Sequence, residues 1–251
     1  MAAAMIDVTG LRVVLPPSTV ALDGIDLTVR PGEFVVILGP SGAGKTTFLR
    51  TLNRLVEPTA GTVRINGRAV TGAAPPELRA VRRQVGMIFQ QFNLVRRLSV
   101  VDNVLTGRLG YVASLASLAG RFPERDRVLA RECLEQVGLG DLAQRRADGL
   151  SGGEQQRVAI ARALAQSPAV ILADEPTASL DPALTDSIMG ILRRINVDRR
   201  LTLVVSQHQL ATALEYATRV VGFRAGRVVF DGRPTDVTPA AVARIYAERA
   251  P

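Results

Sequence analysis

A chain of 251 residues with 47% hydrophobic content reads as a folded, soluble-type sequence, long enough for one α/β domain with a subdomain or for two small domains. Its net charge of +8 admits nucleic acid, anionic lipid or an acidic protein as partner, but the arginines are scattered and only 4% of residues are aromatic, which argues against a nucleic-acid platform. The single cysteine, Cys133, excludes an internal disulfide, and no apolar run approaches the roughly 18–20 residues that span a bilayer.

The first ten residues, "MAAAMIDVTG", lack a charged segment followed by an apolar one, so no secretion signal is expected and the chain is expected in the cytosol. Residues 5–14, 25–29 and 62–66 read as short strands between Pro/Gly turns, predicting an antiparallel layer near the N-terminus. "EFVVIL" (33–38) is a fully apolar strand candidate that runs into a glycine loop, and Thr46 to Val56 has helical content that stops before Pro58. Strand, glycine loop and helix in that order are the context of a phosphate-binding loop.

The loop itself is "GPSGAGKTT": Gly39, Pro40, Ser41, Gly42, Ala43, Gly44, Lys45, Thr46 and Thr47. It fits G-x-x-x-x-G-K-[ST], in which glycines let backbone N–H groups turn inward around phosphate oxygens and the following helix adds its N-terminal partial positive charge. Lys45 is the only lysine among 31 basic residues. A compact charge on a flexible stem reaches between β- and γ-phosphates, whereas the planar arginine fork is wider and wants bidentate geometry, so this is a place where arginine does not substitute. Thr46 is expected to place its hydroxyl on Mg²⁺, and Thr47 to meet the α-phosphate.

From Gln91 to Leu150 the pattern is largely helical, and Cys133 in it is expected to pack in the core or at its boundary. In "LSGGEQQRVAIARALAQSP" (150–168), Ser151 with Glu154 forms a capping-box pattern ahead of a helical apolar periodicity that ends at Pro168. Ser-Gly-Gly at a helix N-terminus also makes an anion site, so the chain carries two candidate phosphate-binding surfaces. "AVILA" (169–173) is a second apolar strand candidate and ends in Asp174-Glu175. A carboxylate at the carboxyl end of a parallel strand beside the phosphate loop can hold a Mg²⁺-water shell, and the next residue can face the γ-phosphate.

These motifs resemble those of the ATP-binding subunits of ABC transporters, over nearly the whole chain. "GPSGAGKTT" is similar to the Walker A loop, "LSGGEQQ" to the ABC signature, "ILADEP" to the Walker B strand with its glutamate, and "SLD" (179–181) to the D-loop. Gln90 in "GMIFQQFNL" matches the Q-loop glutamine, and His208 in "VVSQHQL", the only histidine, matches the switch histidine after the strand candidate "LTLVVS". The resemblance implies an α/β fold of the P-loop NTPase type, an ABC ATPase fold with an N-terminal antiparallel β subdomain and an inserted α-helical subdomain. One domain is expected over 5–247: the β layer and Walker A core at 5–90, the helical subdomain at 91–150, and the signature helix, Walker B and switch region at 151–247.

The resemblance also implies that two such domains pair head to tail, each ATP lying between the Walker A loop of one and the signature of the other, so that a second copy of this chain is the expected partner. Asp174 and Gln90 would help Thr46 hold Mg²⁺ and its waters, and Glu175 would polarise the attacking water as general base. His208 would touch the γ-phosphate, the Ser151-Gly152-Gly153 stretch would contact it from the other subunit, and Asp181 would carry information across the interface.

The spacing of "GRLG", "SL" and "GRFPE", the His208-Gln209 pair, and "RVVFDGRP" followed by "RIYA" resemble the phosphonate-import ATP-binding proteins. That implies a peripheral ATPase on the cytoplasmic face of the cell membrane, working with transmembrane permease subunits and indirectly with an extracytoplasmic solute-binding protein. A phosphate, phosphite or other small-solute importer is the alternative, and a soluble non-transport ABC ATPase a more distant one. Arg82, Arg83, Arg96 and Arg97 surround Gln90 in sequence and are candidates for seating the chain on a permease or anionic headgroups, with plainly solvated arginines as the other reading. One departure falls on Leu15: many of these ATPases carry an aromatic residue there that stacks on adenine, and Val20 is the alternative neighbour of the base.

Overall fold

Alternation of apolar and polar residues near the N-terminus produces strands with one buried face. In β1 (Ile6–Leu15), Ile6, Val8, Leu11 and Val13 are buried; β1 pairs antiparallel with β2 (Thr19–Val29) and with β4 (Ala60–Ile65). With β5 (Arg68–Ala69) these form a four-stranded sheet in the order β2-β1-β4-β5. The computed structural model describes residues 4–112, 120–178 and 180–246. Ser179 of the D-loop-like "SLD", most of "YVASLASLAG" with its "SL" pairs, and residue 247 at the expected domain end lie outside the described residues.

Continuous apolar runs make the second sheet, because its central strands are covered on both faces. It has six strands in the order β10-β9-β3-β8-β7-β6. The members are β3 (Phe34–Leu38), β6 (Val85–Ile88), β7 (Val170–Asp174), β8 (Thr202–Gln207), β9 (Arg219–Arg224) and β10 (Arg227–Gly232). All pairings are parallel except β9 with β10. Residues of β3 alternate between two cores: Val35 and Ile37 pack with the antiparallel sheet and α1 (Lys45–Leu52), while Phe34, Val36 and Leu38 pack with the helices on the other face.

Those helices include α3 (Val100–Leu105), α4 (Glu124–Gln136), α5 (Gly152–Ala165) and α6 (Pro182–Arg199); α2 (Pro75–Arg83) precedes β6, and α7 (Leu210–Tyr216) and α8 (Pro239–Tyr246) follow β8 and β10. Helix α5 packs on both α3 and α4. Cys133 of α4 is wholly buried in this core, and burial pushes its thiol up to about 11.

Two sequence expectations are corrected. The helix expected over Thr46–Val56 ends at Leu52, because Asn53 caps it and Arg54 takes a left-handed φ of 50°. Within the segment expected to be largely helical, the described residues 91–98 form no helix. There the wholly buried Asn103 side chain substitutes for helical bonding: it accepts from Val95 N at 2.8 Å and donates to the carbonyls of Val95 and Ser99 at 3.1 and 3.0 Å.

Candidate nucleotide site

The carboxyl ends of β3, β8 and β7 are adjacent, with Leu38 opposite Gln207 and Ser206 opposite Asp174. The loops leaving these strands therefore meet, as expected for a site at the carboxyl edge of a parallel sheet. The loop after β3 is threaded so closely that glycine is required. Gly39 has φ 155° and a Cβ would collide with the Phe223 carbonyl oxygen; Gly44 has φ 104° and a Cβ would lie 2.7 Å from the Ala21 carbonyl oxygen. Gly44 caps α1, whose first N–H groups face the loop.

Lys45 is 4% exposed, and its Nζ donates to the carbonyls of Gly39 at 2.8 Å and Pro40 at 3.1 Å. Burial holds its pKa below the usual lysine value, an effect the Glu175 and Asp174 carboxylates oppose; the Glu175 oxygen is 3.9 Å away. Asp174 is 1% exposed, and both observed hydrogen bonds to its carboxylate reach Oδ1: Thr46 donates at 2.8 Å and Ser206 at 3.0 Å. Glu175 has a left-handed φ of 47°, its backbone N–H donates to Ser206 Oγ at 2.9 Å, and its Oε1 lies 2.5 Å from His208 Nε2.

Ser41, Thr47, Gln90, Glu175 and His208 line one cleft of about 470 Å³ with the glycine loop, and Gln90 enters it as an exposed residue two positions beyond β6. Leu15 and Val20 also line it, on the two strands joined by the turn that pairs Leu15 with Thr19 and Val14 with Val20. Leu15 also packs on the N-terminal core, whereas Val20 is 38% exposed.

The Ser151-Gly152-Gly153 stretch and Asp181 do not line this cleft. Ser151 caps α5 in a reciprocal box, accepting from Glu154 N at 3.3 Å while Glu154 Oε2 accepts from Ser151 N at 2.7 Å. The Ser151 hydrogen bonds hold the Glu154 carboxyl below its usual range. Ser151 and Gly152 are exposed at that helix start, and Gly153 is buried. Asp181 caps α6, accepting from Leu184 N at 2.9 Å. Of the four arginines placed around Gln90 in sequence, Arg82 and Arg83 line a separate cleft with Tyr111, and Arg96 and Arg97 do not line it.

Sequence reasoning missed Ser206, Gln207 and Thr177. Gln207 Nε2 donates to Thr177 Oγ1 at 2.9 Å, and its Oε1 accepts from His208 N at 3.0 Å. The available signal was a polar pair closing the apolar strand "LTLVV", the same signal that marked Asp174 at the end of "AVILA".

Comparison with known proteins agrees with this geometry. The sequence model of the family described as ABC transporter matches residues 22–178. The chain is similar to the phosphonates import ATP-binding protein PhnC of Shouchella clausii, at 51% identity covering 96% of this chain and 91% of that protein. Its counterpart in Thiobacillus denitrificans is 54% identical, covering 90% of this chain and 86% of that protein. Among solved structures, the ATP-binding cassette MJ0796, a dimer in a post-hydrolysis state bound to ADP and Pi, superposes with a TM-score of 0.79 at 35% identity, covering 92% of this chain and 99% of that one. The cassette MJ1267 in its ADP conformation gives a TM-score of 0.84 at 26% identity, covering 97% and 98%. A family model that spans more than half of the sequence, with relatives about half identical along nearly all of it, shows that the chain belongs to the ABC transporter family as an ATP-binding cassette.

Proposed function

We propose that this protein is the ATP-hydrolysing subunit of an importer that takes up phosphonates. The observation that carries the ATPase reading is the convergence of Lys45, Thr46, Asp174, Glu175 and His208 at the carboxyl ends of three adjacent strands. Similarity to the phosphonates import proteins over nearly the full chain supports the solute class.

The site suits a nucleoside triphosphate and Mg²⁺. Loop glycines that leave no room for a Cβ allow the backbone to approach phosphates closely, and the start of α1 supplies N–H donors. A threonine hydroxyl already bonded to a buried carboxylate is a hard-oxygen pair of the kind Mg²⁺ takes, so Thr46 and Asp174 would hold the ion, with Gln90 helping from across the cleft. An ion held by these residues would supply positive charge against the phosphates. Lys45 exchanges its carbonyl partners for phosphate oxygens, and Ser41 to Thr47 cradle the chain of phosphates. Glu175 accepts a proton from the attacking water, and His208 orients Glu175 and reaches the γ-phosphate.

The exposed start of α5 supplies the missing wall in this reading: the Ser151-Gly152-Gly153 stretch of one copy, exposed at Ser151 and Gly152, closes over the nucleotide of another, with Asp181 at the joint. The dimeric state of the MJ0796 cassette supports that pairing. Transmembrane permease subunits receive the helical layer at the cytoplasmic face, and an extracytoplasmic solute-binding protein delivers the phosphonate. Deleting the gene is expected to abolish growth on a phosphonate as sole phosphorus source, with restoration by the intact gene. Growth that is indifferent to the deletion, in a strain without a duplicate ATPase, rejects the solute assignment.

The aliphatic side chains of Leu15 and Val20 in the cleft lining predict weak discrimination between ATP and GTP, because they read neither base edge. An aromatic ring under a base contributes about 1–3 kcal/mol, so Leu15→Tyr is expected to tighten ATP binding by about 1 kcal/mol or more in a calorimetric titration. No gain in affinity, together with a lower unfolding midpoint, would assign Leu15 to the N-terminal core alone.

A further inference from the structure

The hydroxyl of Ser206 lies between the two acidic residues of the site. It is wholly buried at the end of β8, donates to Asp174 Oδ1 at 3.0 Å and accepts from the Glu175 backbone N–H at 2.9 Å. A hydroxyl has one proton to give. With its O–H directed at Asp174, the Ser206 oxygen is oriented to receive the Glu175 N–H, and one atom sets the spacing of two neighbouring residues. Glu175 needs such support: its φ of 47° is a conformation that a residue with a side chain keeps only when its surroundings over-determine it.

The next residue extends the brace. Gln207, 4% exposed, donates to Thr177 beyond Glu175 and accepts from the backbone of His208, whose ring nitrogen lies 2.5 Å from the Glu175 carboxylate. The end of β8 thus grips the chain on both sides of Glu175. Ser206 does not line the cleft, so it acts on hydrolysis through the residues it holds.

We infer that Ser206 is a positioning residue for ATP hydrolysis, fixing the Asp174 carboxylate and the Glu175 main chain so that the Glu175 side chain is aimed at the attacking water. This rests on the reading of Glu175 as general base. Without the hydroxyl, Asp174 keeps its bond from Thr46, but the Glu175 N–H loses its acceptor and the left-handed backbone loses the bond that fixes it.

In the purified full chain, Ser206→Ala is expected to lower kcat for ATP by about 10- to 100-fold, the scale of a small misplacement of a reacting group. KM for ATP should stay within about threefold of wild type, since the glycine loop and Lys45 are unchanged and Asp174 keeps its bond from Thr46. Ser206→Cys, close in shape but a weak hydrogen-bonding group, should behave like the alanine variant, and Ser206→Thr should recover most of the rate. Unfolding midpoints measured beside the kinetics identify a variant that has merely loosened. Wild-type kcat in Ser206→Ala overturns the inference, as does a loss carried by KM. If Ser206→Thr does not fold, a cysteine variant as fast as wild type shows that shape alone matters and has the same force. Glu175→Gln separates the two readings: normal hydrolysis in that variant removes the general base itself, whereas an inert Glu175→Gln beside a normal Ser206→Ala removes only the role of Ser206.

Discussion

Replacing Glu175 with glutamine is expected to lower ATP turnover by at least about 100-fold while ATP binding persists, the scale set by general-base catalysis. Glutamine keeps the size of the side chain and a carbonyl oxygen near His208, whose Nε2 lies 2.5 Å from the carboxylate, so the local packing survives. It cannot take a proton from water. The glycine loop, Lys45 and the Thr46–Asp174 pair are unchanged, so the triphosphate is held but not cleaved. Because the nucleotide is proposed to lie between two copies, closed dimers should then accumulate with ATP and Mg²⁺, and sizing chromatography reads this directly. Turnover near the wild-type rate would falsify the role of Glu175. Lost turnover without ATP-dependent dimers would leave the base in place and reject the shared site.

Lys45→Arg is the second large effect, a loss of kcat/KM of at least about 100-fold despite the conserved charge. Lys45 has 4% of its surface exposed and reaches two loop carbonyls at 2.8 and 3.1 Å, so the space around Nζ is sized for a single ammonium. A guanidinium is wider, and its fork either displaces the loop or turns away from the phosphates. Lys45→Met separates charge from shape: it fills a similar volume, removes the cost of burying a cation and should leave the unfolding midpoint unchanged or raised while ATP binding falls. Near-normal turnover by Lys45→Arg, measured as phosphate release, would sink the argument from geometry.

The sequence alone determined what depends on neighbours along the chain. The glycine loop between an apolar strand and a helix, the capping box at Ser151 and the acidic pair ending "AVILA" are local patterns, because backbone conformation, helix caps and strand ends are set within a few residues. Even there, local propensity overran: it extended α1 past Leu52 and saw helix where Asn103 holds the chain open. The ABC family was legible for the same reason, since each of its motifs is short and contiguous. Only tertiary structure decided which motifs share a cleft. Thr46 and Asp174 stand 128 residues apart and meet through a hydroxyl at 2.8 Å because β8 and β7 follow β3 across the sheet, an order that chain position does not reveal. The same pairing of strands puts Ser206 opposite Asp174 and His208 against Glu175, and it leaves Ser151 and Asp181 outside the cleft. The physical reason is that parallel strands pair through crossovers, and burial of two alternating faces selects their order only once all of them are present.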